Sequence, residues 1–508
     1  MILSDAAGEG TVITSAATEH VDVVVVGAGL SGIGQAYHLQ TRCPDRSYLI
    51  LEGRGAIGGT WDLFRYPGIR SDSDMHTLGF SFHPWTDPKS IADGASIRAY
   101  IEDTARTFGI DRHIRFNTHV KAAAWSTADA RWTLTAMGPE GQPVTITCKF
   151  LCMAAGYYNY ARGHAPEFPG AETFEGRIVH PQFWPDDLDY AGGNVVVIGS
   201  GATAMTLVPA MAREAEHVVM LQRSPTYVVA RPGEDAIANH LRRWLPGKLA
   251  YGLTRWKNVL LGMFIYDRVR KHPEAAKRRI VGMVRDHLGA DYDVATHFTP
   301  DYGPWDQRLC LVPDADLFEA IKAGRAEVVT DRIERFTPRG ILLASGRELP
   351  ADVIVTATGL EVQVLSGIAF TVDGAPLDAG KTIQYKGMMF SDVPNLASIF
   401  GYTNASWTLK AELAARYVCR LLNTMKARRL RQATPHADDP DMPLEPFVEF
   451  SSGYIQRAAD KLPKQGARTP WKLHQNYVKD VLTLRFGSVD DEMVFSNPEP
   501  ARGDSRAA

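Results

Sequence analysis

The chain has 508 residues, of which 45% are hydrophobic and 22% are charged, and this composition indicates a globular protein of about three domains. A formal net charge of −3 gives no basic excess for nucleic acid. The five cysteines show neither a CxxC pair nor a metal spacing, which favours a reducing, cytoplasmic location without a metal site. No apolar run reaches about 18 residues, so no transmembrane segment is expected. Residues 1–19 lack the features of a signal peptide and are expected to be a flexible extension.

The first predicted nucleotide-binding unit begins with a β-branched strand at 21–26, which leads directly into Gly27-Ala-Gly-Leu-Ser-Gly32. A helix is predicted over 30–40, and a strand, a G-x-G-x-x-G turn and a helix in this order bind a dinucleotide pyrophosphate. Glu52 ends the next predicted strand, 20 residues after Gly32. A carboxylate at this place accepts hydrogen bonds from free ribose hydroxyls. The alternative is a glycine turn in an α/β fold without a ligand.

A second glycine-rich segment follows, with Gly58-Gly-Thr-Trp61 and then Tyr66-Pro-Gly-Ile-Arg-Ser-Asp72. The small residues at 58–60 would let the chain pass close to a flavin, which favours FAD over NAD in this unit. Trp61 is either a wall of the flavin site or a packing residue, and Asp72 is either a site residue or a loop cap. Further along the chain, a helix is predicted over 96–108 and strands over 114–125, 131–136 and 144–153.

The segment 174–185 follows the pattern F-x-G-x-x-x-H-x-x-x-W-P, whose specified positions are Phe174, Gly176, His180, Trp184 and Pro185. It lies between the two predicted nucleotide-binding units and is interpreted as the linker that joins them. The alternative is a proline-rich linker in which the aromatic residues only pack and the histidine is solvated. Five such positions would coincide by accident in about one chain in ten thousand, which favours a functional segment.

The second predicted unit has a strand at 194–198 and the turn Gly199-Ser-Gly-Ala-Thr-Ala204. Ala204 replaces the third glycine, which is an accepted variant of this turn. After the next predicted strand, 217–221, the place of Glu52 is taken by Gln222, Arg223 and Ser224. A carboxylate would repel a 2′-phosphate, whereas an arginine binds it with two hydrogen bonds. The first unit is therefore predicted to bind FAD and the second to bind NADPH.

Residues 233–305 alternate basic residues with apolar helix formers and are predicted to form a helical insertion. The apolar stretch at 260–266 is interpreted as core or tunnel lining, with weak peripheral membrane contact as the alternative. After the insertion, a strand is predicted over 352–359. The last long helix is predicted over 406–425 with Ser406 as its cap, followed by a loop at 430–450 and a flexible tail at 496–508.

The pattern at 174–185 and the pattern G-x-W-x-x-x-x-Y-P-G-x-x-x-D that ends at Asp72 resemble two signatures of the type I Baeyer–Villiger monooxygenases. Trp305-Asp-Gln-Arg308 and the segments 59–74 and 401–408 resemble the ethionamide-activating subgroup of that family. The resemblance extends over most of residues 20–490. It implies an α/β fold with two Rossmann-like dinucleotide-binding domains and a helical insertion. It also implies a FAD- and NADPH-dependent enzyme that inserts one oxygen atom of O2 into a ketone to give an ester.

The resemblance further implies roles for individual residues. Arg308 matches the arginine that lies over the flavin in the family, where its charge would stabilise negative charge on the activated oxygen, and Asp72 would orient Arg308. Gln307 replaces a lysine that binds the 2′-phosphate in many members. The residues implied for FAD are Gly27, Gly29, Ser31, Gly32, Glu52, Gly59, Thr60, Trp61, Asp72 and Val120. The residues implied for NADP are Arg70, Gly199, Ser200, Gly201, Ala202, Thr203, Ala204, Arg223, Ser224 and Gln307.

The implied domain limits are residues 20–170 and 391–495 for FAD, residues 171–232 and 306–390 for NADPH, and residues 233–305 for the insertion. The expected substrates are acyclic aliphatic or aryl ketones, with sulfide oxidation as a side activity. We expect a monomer or a small homo-oligomer that binds no nucleic acid.

Three other functions compete with this interpretation. A flavin monooxygenase that hydroxylates nitrogen or sulfur is disfavoured by Trp184-Pro185 together with Arg308. A flavin disulfide reductase needs a cysteine pair near the flavin, and residues 53–80 contain no cysteine. A nucleotide sensor would bind NADPH without consuming O2, and it is disfavoured because both motifs and Arg308 are intact.

Overall fold

A computed structural model describes residues 18–307, 309–448 and 451–499. Arg308 lies outside these residues, as do most of the predicted N-terminal extension and most of the predicted C-terminal tail. The described chain forms an α/β fold around two separate sheets with parallel central strands, which confirms the predicted fold class. None of the described helices has the length and apolar character that crossing a membrane requires.

The first sheet carries the first glycine-rich turn. At its centre, the strand Glu19–Val26 runs parallel to Tyr48–Leu51 on one side and to Pro143–Met153 on the other. Valines 23–25 have no exposed surface, as expected for a parallel strand that is covered on both faces. Leu396–Ser398 also pairs with Pro143–Met153. The strand order across the sheet is Ala375–Pro376, Ala369–Val372, His119–Ser126, Arg131–Met137, Pro143–Met153, Glu19–Val26, Tyr48–Leu51 and Ile114–Arg115.

The predicted single strand at 114–125 is in fact two strands at separate positions in the first sheet. Ile114–Arg115 pairs with Tyr48–Leu51, whereas His119–Ser126 pairs with Arg131–Met137 beyond the centre of the sheet. Asn117 adopts a left-handed conformation with a φ of 50°, which breaks the strand. The alternation of apolar and polar residues continues through this break, so the sequence pattern alone did not indicate it.

The chain returns to the first sheet earlier than predicted. Ala369–Val372 pairs in parallel with His119–Ser126, so residues 369–376 are part of the first sheet although the predicted boundary is at residue 390. These strands are short and partly exposed, and they lack the long apolar run that marks a central strand. The predicted loop at 430–450 also contains two short strands, Gln432–Pro435 and Leu444–Pro446.

The second sheet carries the second glycine-rich turn, and its five strands in the described chain are all parallel. Arg177–Val179 is the edge strand of this sheet and pairs with Val353–Thr356. The sequence analysis interpreted the segment 174–185 as a linker. Its middle is instead a strand of the second sheet. A three-residue strand with two exposed residues is too short for a periodicity argument to find. The strand order is Ala326–Thr330, His217–Gln222, Asn194–Ile198, Val353–Thr356 and Arg177–Val179.

Helices follow both glycine-rich turns, and residues 236–298 contain four helices in succession. Ser406 occupies the position before the helix Trp407–Ala427, as predicted, but its side chain makes no capping hydrogen bond to the helix. Its hydroxyl instead lies 2.6 Å from the Thr77 hydroxyl. The described α-helices are Leu30–Arg42, Thr60–Leu63, Met75–Leu78, Gly94–Thr107, Ala202–Met211, Ala236–Trp244, Gly247–Lys271, Pro273–Leu288, Val294–Phe298, Asp316–Lys322, Trp407–Ala427, Gly453–Gln456 and Tyr477–Asp480.

The largest hydrophobic core joins one face of the first sheet to the helices Leu30–Arg42 and Trp407–Ala427, which pack against each other. A second core joins the second sheet to Ala202–Met211. The starts of these three helices all lie at the junction of the two units. The remaining strands of the described chain are Val228–Arg231, Cys310–Pro313, Ile333–Thr337, Gly340–Leu343, Glu348–Pro350, Gln384–Tyr385, Met389–Phe390, Lys464–Gly466 and Met493–Ser496.

Candidate active site

A cavity of about 760 Å³ lies where the two nucleotide-binding units meet. This volume is in the range of small-molecule and cofactor sites. Its wall combines the first glycine-rich turn, the segment 58–73, the residues after Pro143–Met153 and the start of Ala202–Met211. The residues predicted for FAD that line it are Gly27, Gly29, Ser31, Glu52, Gly59, Thr60, Trp61, Asp72 and Val120. The residues predicted for NADP that line it are Arg70, Ala202 and Thr203.

The first glycine-rich turn is packed too closely for side chains. A Cβ atom on Gly32 would lie 1.9 Å from the carbonyl oxygen of Gly27, and Gly27 has a φ of 104°. On the cavity side, the nearest atom to a Cβ on Gly29 would be the Cα of Gly59, at 3.6 Å. The helix start is thus held against the strand while two glycine backbones line the cavity. This cradle fits a pyrophosphate, which binds the free N–H groups at a helix N-terminus.

Glu52 lies at the end of Tyr48–Leu51 and faces the first turn. One carboxylate oxygen accepts the Ala28 N–H at 2.7 Å, and the other accepts the Arg54 N–H at 2.9 Å. Glu52 is 6% exposed, and this burial raises the pKa of its carboxyl, while the two N–H groups oppose the shift. A carboxylate oxygen has more than one lone pair, so Glu52 can hold the turn and also accept a ribose hydroxyl.

The N-terminus of the helix Trp407–Ala427 forms another part of the wall. The Trp407 indole N–H donates to the Ser31 hydroxyl at 2.8 Å and connects the helix to the first turn. Thr408 is fully buried, and its hydroxyl has no hydrogen-bond partner in the described part of the chain. A helix N-terminus favours acceptors and negative charge. With the glycine cradle and Glu52, this wall fits FAD, whose phosphates, ribose and polar ring edge need these three groups.

The segment from Tyr66 to Asp72 connects the cavity to the second unit. A Cβ on Gly68 would lie 2.3 Å from the carbonyl oxygen of Thr206, so the segment rests directly on the helix Ala202–Met211. The Arg70 guanidinium pairs with both oxygens of Asp316, at 2.5 and 3.3 Å, and donates to the carbonyl of Met205 at 3.3 Å. Arg70 is therefore engaged in contacts between the units, in addition to its predicted place near NADP. Asp72 lines the cavity at the end of this segment.

The second glycine-rich turn has the same backbone form as the first but is more open. Gly199 has a φ of 137°, and its Cβ would lie 2.4 Å from the carbonyl oxygen of Ala357. A Cβ on Gly201 would meet no atom within 4 Å among the described residues. Ala204, at the third glycine position, is fully buried in the second core. Space above Gly201 fits a second dinucleotide, because its pyrophosphate must approach this backbone.

The residues that follow the strand His217–Gln222 differ from those around Glu52. The pairing of Ile198 with Leu221 gives Gln222 the position that Glu52 has in the first unit. The Gln222 amide donates to His297 O and to the Thr330 hydroxyl, both at 2.8 Å, and not to the turn. Arg223 and Ser224 are exposed, and the Ser200 hydroxyl donates to Ser224 O at 3.1 Å. An exposed guanidinium at this position fits a 2′-phosphate.

The specified residues of the pattern at 174–185, termed the fingerprint below, do not line the cavity. Phe174 packs on Phe336 with 6.4 Å between ring centroids, and a Cβ on Gly176 would lie 2.3 Å from the carbonyl oxygen of Asp352. Trp184 packs against the second core, and Pro185 follows it. Burial lowers the pKa of His180, whose Nδ1 accepts the N–H of residue 182 at 3.2 Å. The described contacts of this segment are therefore packing contacts within the second unit.

Two chain segments cross between the units side by side. The Asn159 N–H donates to Glu361 O at 2.8 Å, and the His164 N–H donates to Gly359 O at 3.1 Å. Arg162 and Glu361 add an ion pair with N–O distances of 2.5 and 2.9 Å. The amide of Gln182, inside the fingerprint, donates to Asn159 O at 2.7 Å and attaches to the same crossing. Sequence reasoning missed the pairs of Asn159, Arg162 and His164 because their partners lie about 200 positions away in the chain.

Arg308, the predicted catalytic residue, lies outside the described residues, but its neighbours are defined. Asp306 pairs with Arg270 of the helical insertion at 2.6 Å and accepts the Gly303 N–H at 2.9 Å. The backbone N–H of Ser451 donates to Asp306 O at 3.0 Å. Gln307, predicted to contact NADP, is half-buried and does not line the cavity. The loop before Arg308 is thus attached both to the insertion and to the C-terminal part of the chain.

Several aromatic residues of the cavity were not predicted from the sequence. Tyr157 stacks on Trp407 with a centroid distance of 5.3 Å and an interplanar angle of 13°, and both line the cavity. Tyr160 and Tyr402 line it as well. The only available signal was that residues 157–160 follow the small residues Met153-Ala-Ala-Gly156 at the end of a strand.

The cavity lies between two Rossmann-like units, and the first unit has a glycine cradle and the Glu52 carboxylate. This arrangement is typical of a flavin-dependent oxidoreductase that uses a second dinucleotide. Residues 66–242 match the family model described as flavin-binding monooxygenase-like, and residues 25–88 match an NAD(P)-binding Rossmann-like domain. The solved structure of oxidized steroid monooxygenase bound to NADP has a TM-score of 0.74 and 22% identity, covering 94% of this chain and 99% of that one. A closed structure of cyclohexanone monooxygenase has a TM-score of 0.67 and 22% identity, covering 83% and 87%. These two structures share the fold.

Curated relatives share much more of the sequence. The FAD-containing monooxygenase EthA of Mycobacterium tuberculosis H37Rv is 55% identical over 95% of this chain and 99% of its own length. EthA of Mycolicibacterium smegmatis is 52% identical over 94% and 96%, respectively. The chain belongs to the EthA-like FAD-containing monooxygenases, and it is a flavin monooxygenase with FAD and NADP as its cofactors.

Proposed function

We propose that the protein is a Baeyer–Villiger monooxygenase that converts a ketone into an ester with O2 and NADPH. The observation that carries this proposal is the position of the segment 66–72, which has Asp72 on the cavity wall and Arg70 in an ion pair with the second unit. The same segment completes one of the two family signatures, and the other signature supplies the edge strand of the second sheet. Acyclic aliphatic and aryl ketones are the proposed substrates, with sulfides oxidised as a side activity.

The proposed division of the chain follows the two sheets. Residues around the first sheet would hold FAD, residues around the second would hold NADPH, and the helices at 236–298 form the insertion. The first assignment is supported by Glu52, Gly59 and Val120 on the cavity wall. The second is supported by the open space at Gly201 and by the exposed Arg223.

Bound FAD, once reduced by NADPH, supplies the chemistry that activates O2. The protein holds its parts in place. The Gly27–Gly32 turn would bind the pyrophosphate, Glu52 would accept a ribose hydroxyl, and the N-terminus of the helix Trp407–Ala427 would face the polar edge of the ring. Tyr157 and Trp407 form an aromatic wall that would exclude water from the site once the cofactor is bound. Exclusion of water strengthens every charged contact in the site.

Asp72 and Arg308 are the proposed catalytic pair. A guanidinium near the reacting atoms would stabilise the negative charge that develops there, and a carboxylate at Asp72 would orient it. At about 4 Å and an effective dielectric near 20, one such contact contributes about 4 kcal/mol. The loop that precedes Arg308 is attached at Asp306, whose carboxylate pairs with Arg270 and whose carbonyl accepts the Ser451 N–H. These contacts support the proposal.

On the NADP side, Arg223 would bind the 2′-phosphate, and the turn at Gly199–Ala204 would bind the pyrophosphate. Arg70 and Asp316 would fix the distance between the two units, because their ion pair joins the segment 66–72 to the helix Asp316–Lys322. The fingerprint histidine, His180, would help to seat the second unit through the crossing at Asn159.

The test is a panel of ketones and sulfides supplied with NADPH and ¹⁸O2, with NADPH consumption, peroxide release and product mass recorded on one sample. We expect one ¹⁸O atom in an ester and a sulfoxide as the product from sulfides. Arg308→Ala should lower ester formation by about 10² to 10³ while FAD remains bound, since a donor aimed at developing charge contributes about 3–4 kcal/mol. Arg308→Lys keeps the charge and should retain part of the activity. Sulfoxide without any ester across the panel would refute the ketone proposal and leave an S-oxygenating enzyme.

A further inference from the structure

We propose that the helices Ala236–Trp244 and Gly247–Lys271 dock on the surface of an anionic phospholipid membrane. The proposal rests on two independent features of this region, an exposed row of apolar side chains and a concentration of positive charge. It concerns where the enzyme works and does not depend on whether its substrate is a ketone.

The helix Gly247–Lys271 has one buried face and, opposite to it, an exposed face with a row of apolar residues. Residues spaced by four, three, four and four positions lie on one face of a helix. Here they form a row, termed the apolar stripe, of Leu249, Leu253, Trp256, Leu260 and Phe264, which are between 46% and 66% exposed. The opposite face is buried against the protein through Ala250, Tyr251, Thr254, Arg255 and Val259. The folded chain therefore uses one face for its core and leaves most of the other exposed, with Trp256 at a ring-centroid distance of 5.6 Å from Tyr477.

The apolar surface continues onto the preceding helix. Trp244 is 76% exposed and Ile237 is 56% exposed, although both belong to a helix that otherwise packs next to Gly247–Lys271. Single exposed apolar residues are common on protein surfaces, but eight large ones on two neighbouring helices, with Leu261 as the eighth, indicate a surface with an interaction partner.

The same region has a strong positive charge. Residues 236–288 contain twelve lysines and arginines against three aspartates and glutamates, a formal charge of +9 in a chain whose net charge is −3. Within the described chain, four of these cations have a carboxylate partner, namely Arg255, Lys257, Arg270 and Lys271. Others, including Arg243 and Lys248, are exposed beside the exposed Trp244 and Leu249. Negative lipid headgroups are the complementary partner for this charge.

Apolar and basic residues side by side select a membrane over other anionic partners. A basic helix with leucine, phenylalanine and tryptophan on one face lies in the interface plane, with its apolar face in the acyl boundary and its cations at the headgroups. A nucleic acid would satisfy the charge but would leave the apolar stripe in water. A second copy of the chain could cover the stripe with its own stripe, but the two positively charged regions would then face each other and repel.

The docking face lies next to the candidate active site. Val259, on the inner face of the helix, packs in one cluster with Tyr402 and Leu409, and Tyr402 lines the cavity. One helix diameter, about 10 Å, therefore separates the apolar stripe from the residues that wall the cavity. A docked enzyme would have its active site close to compounds that are dissolved in the lipid.

Vesicle flotation with the FAD-loaded full chain tests this proposal. We expect the protein to float with vesicles that contain phosphatidylglycerol, to float much less with pure phosphatidylcholine, and to be released by high salt. Leu260→Glu combined with Phe264→Glu should weaken binding to the anionic vesicles at least tenfold, because two apolar side chains are lost and two negative charges are added. Arg243→Gln combined with Lys248→Gln should also weaken it about tenfold or more and leave the apolar stripe intact.

The matched control is Leu444→Glu combined with Val494→Glu, which changes two side chains of similar exposure outside these helices. This variant should bind vesicles as the unmodified protein does. All variants should keep bound flavin and turn over a water-soluble substrate at the parent rate, since none of the changed residues lines the cavity. Equal binding of all variants, or no binding to anionic vesicles, would overturn the proposal. Loss of a dimer in Leu260→Glu/Phe264→Glu without any vesicle binding would also overturn it and would assign the stripe to a second copy of the chain.

Discussion

The two glycine-rich turns share a strand, a turn and a helix, yet they differ at the residue that follows the second strand of each unit. In the first unit, the Glu52 carboxylate faces the turn and accepts the Ala28 N–H. In the second, Gln222 takes the same position, donates to His297 and Thr330, and leaves the turn open beside the exposed Arg223. The first turn is thus enclosed and the second is open, as the proposal of a resident FAD and an exchanging NADP requires.

The helices that follow the two turns, Leu30–Arg42 and Ala202–Met211, also pack differently on their strands, and the first is again the more tightly packed. A Cβ on Gly32 would overlap the backbone of Gly27 at 1.9 Å, whereas Ala204 has a Cβ at the corresponding position and is simply buried. The first helix therefore sits closer to its strand than the second can. A small change at the third turn position should have unequal effects in the two units.

The largest effect is expected from Gly32→Ala. The added methyl group has no space, and the overpacking should destabilise the first unit by about 3 kcal/mol and release FAD. The reverse change in the second unit, Ala204→Gly, should cost only about 1 kcal/mol, because it adds backbone freedom near a helix start without creating a clash. Thermal unfolding and flavin absorbance of the two variants measure the difference. Equal losses in both would show that the two turns are packed alike.

The next largest effect is expected from the Glu52 carboxylate, which would accept a ribose hydroxyl of FAD. Glu52→Gln keeps the shape but sets an amide N–H₂ against one of the two backbone N–H groups that Glu52 accepts. Losing a hydrogen bond to a charged group costs about 1.5–3 kcal/mol, so FAD affinity should fall roughly 10- to 150-fold. Flavin content after gel filtration and titration of the apoprotein with FAD are the measurements. Arg223→Gln, prepared in parallel, should keep its full FAD content.

Arg223 distinguishes the second site. Arg223→Gln should lower kcat/KM for NADPH by about 10- to 100-fold and leave kcat/KM for NADH nearly unchanged, because only NADPH carries the 2′-phosphate that the guanidinium would bind. The control is Arg213→Gln, which removes another exposed arginine from the same unit. A parallel fall with both nucleotides would mean that Arg223 contributes general charge and not recognition.

The smallest effect is expected where the two units meet. A double-mutant cycle on Arg70→Ala and Asp316→Ala should give a coupling energy of about 1–2 kcal/mol, since this ion pair is largely shielded from water. Reduction of FAD by NADPH should slow severalfold in each single variant. The exposed pair Arg347–Glu327 is the control, and its coupling should stay below about 1 kcal/mol. An unchanged reduction rate in Arg70→Ala would remove the ion pair from the seating of the second unit.

Local sequence patterns were enough to predict both glycine-rich turns, the strands that carry them, Glu52 and the helical nature of the insertion. They failed where tertiary contacts decide the structure. Asn117 breaks a continuous alternating pattern, and Arg177–Val179 is an edge strand only because Val353–Thr356 runs beside it. The pair of Arg70 and Asp316 is 246 residues apart in the chain, so no local signal could reveal it.

Equilibrium dialysis of the unmodified enzyme, loaded with FAD and NADP⁺, tests the contrast between the two sites most directly. The enclosed first turn with its Glu52 anchor and the open second turn with its exposed Arg223 lead to unequal release. We predict that FAD stays bound at one equivalent per chain while NADP⁺ leaves as its free concentration falls. Retention of both nucleotides, or loss of both at similar rates, would contradict the assignment of one resident and one exchanging cofactor.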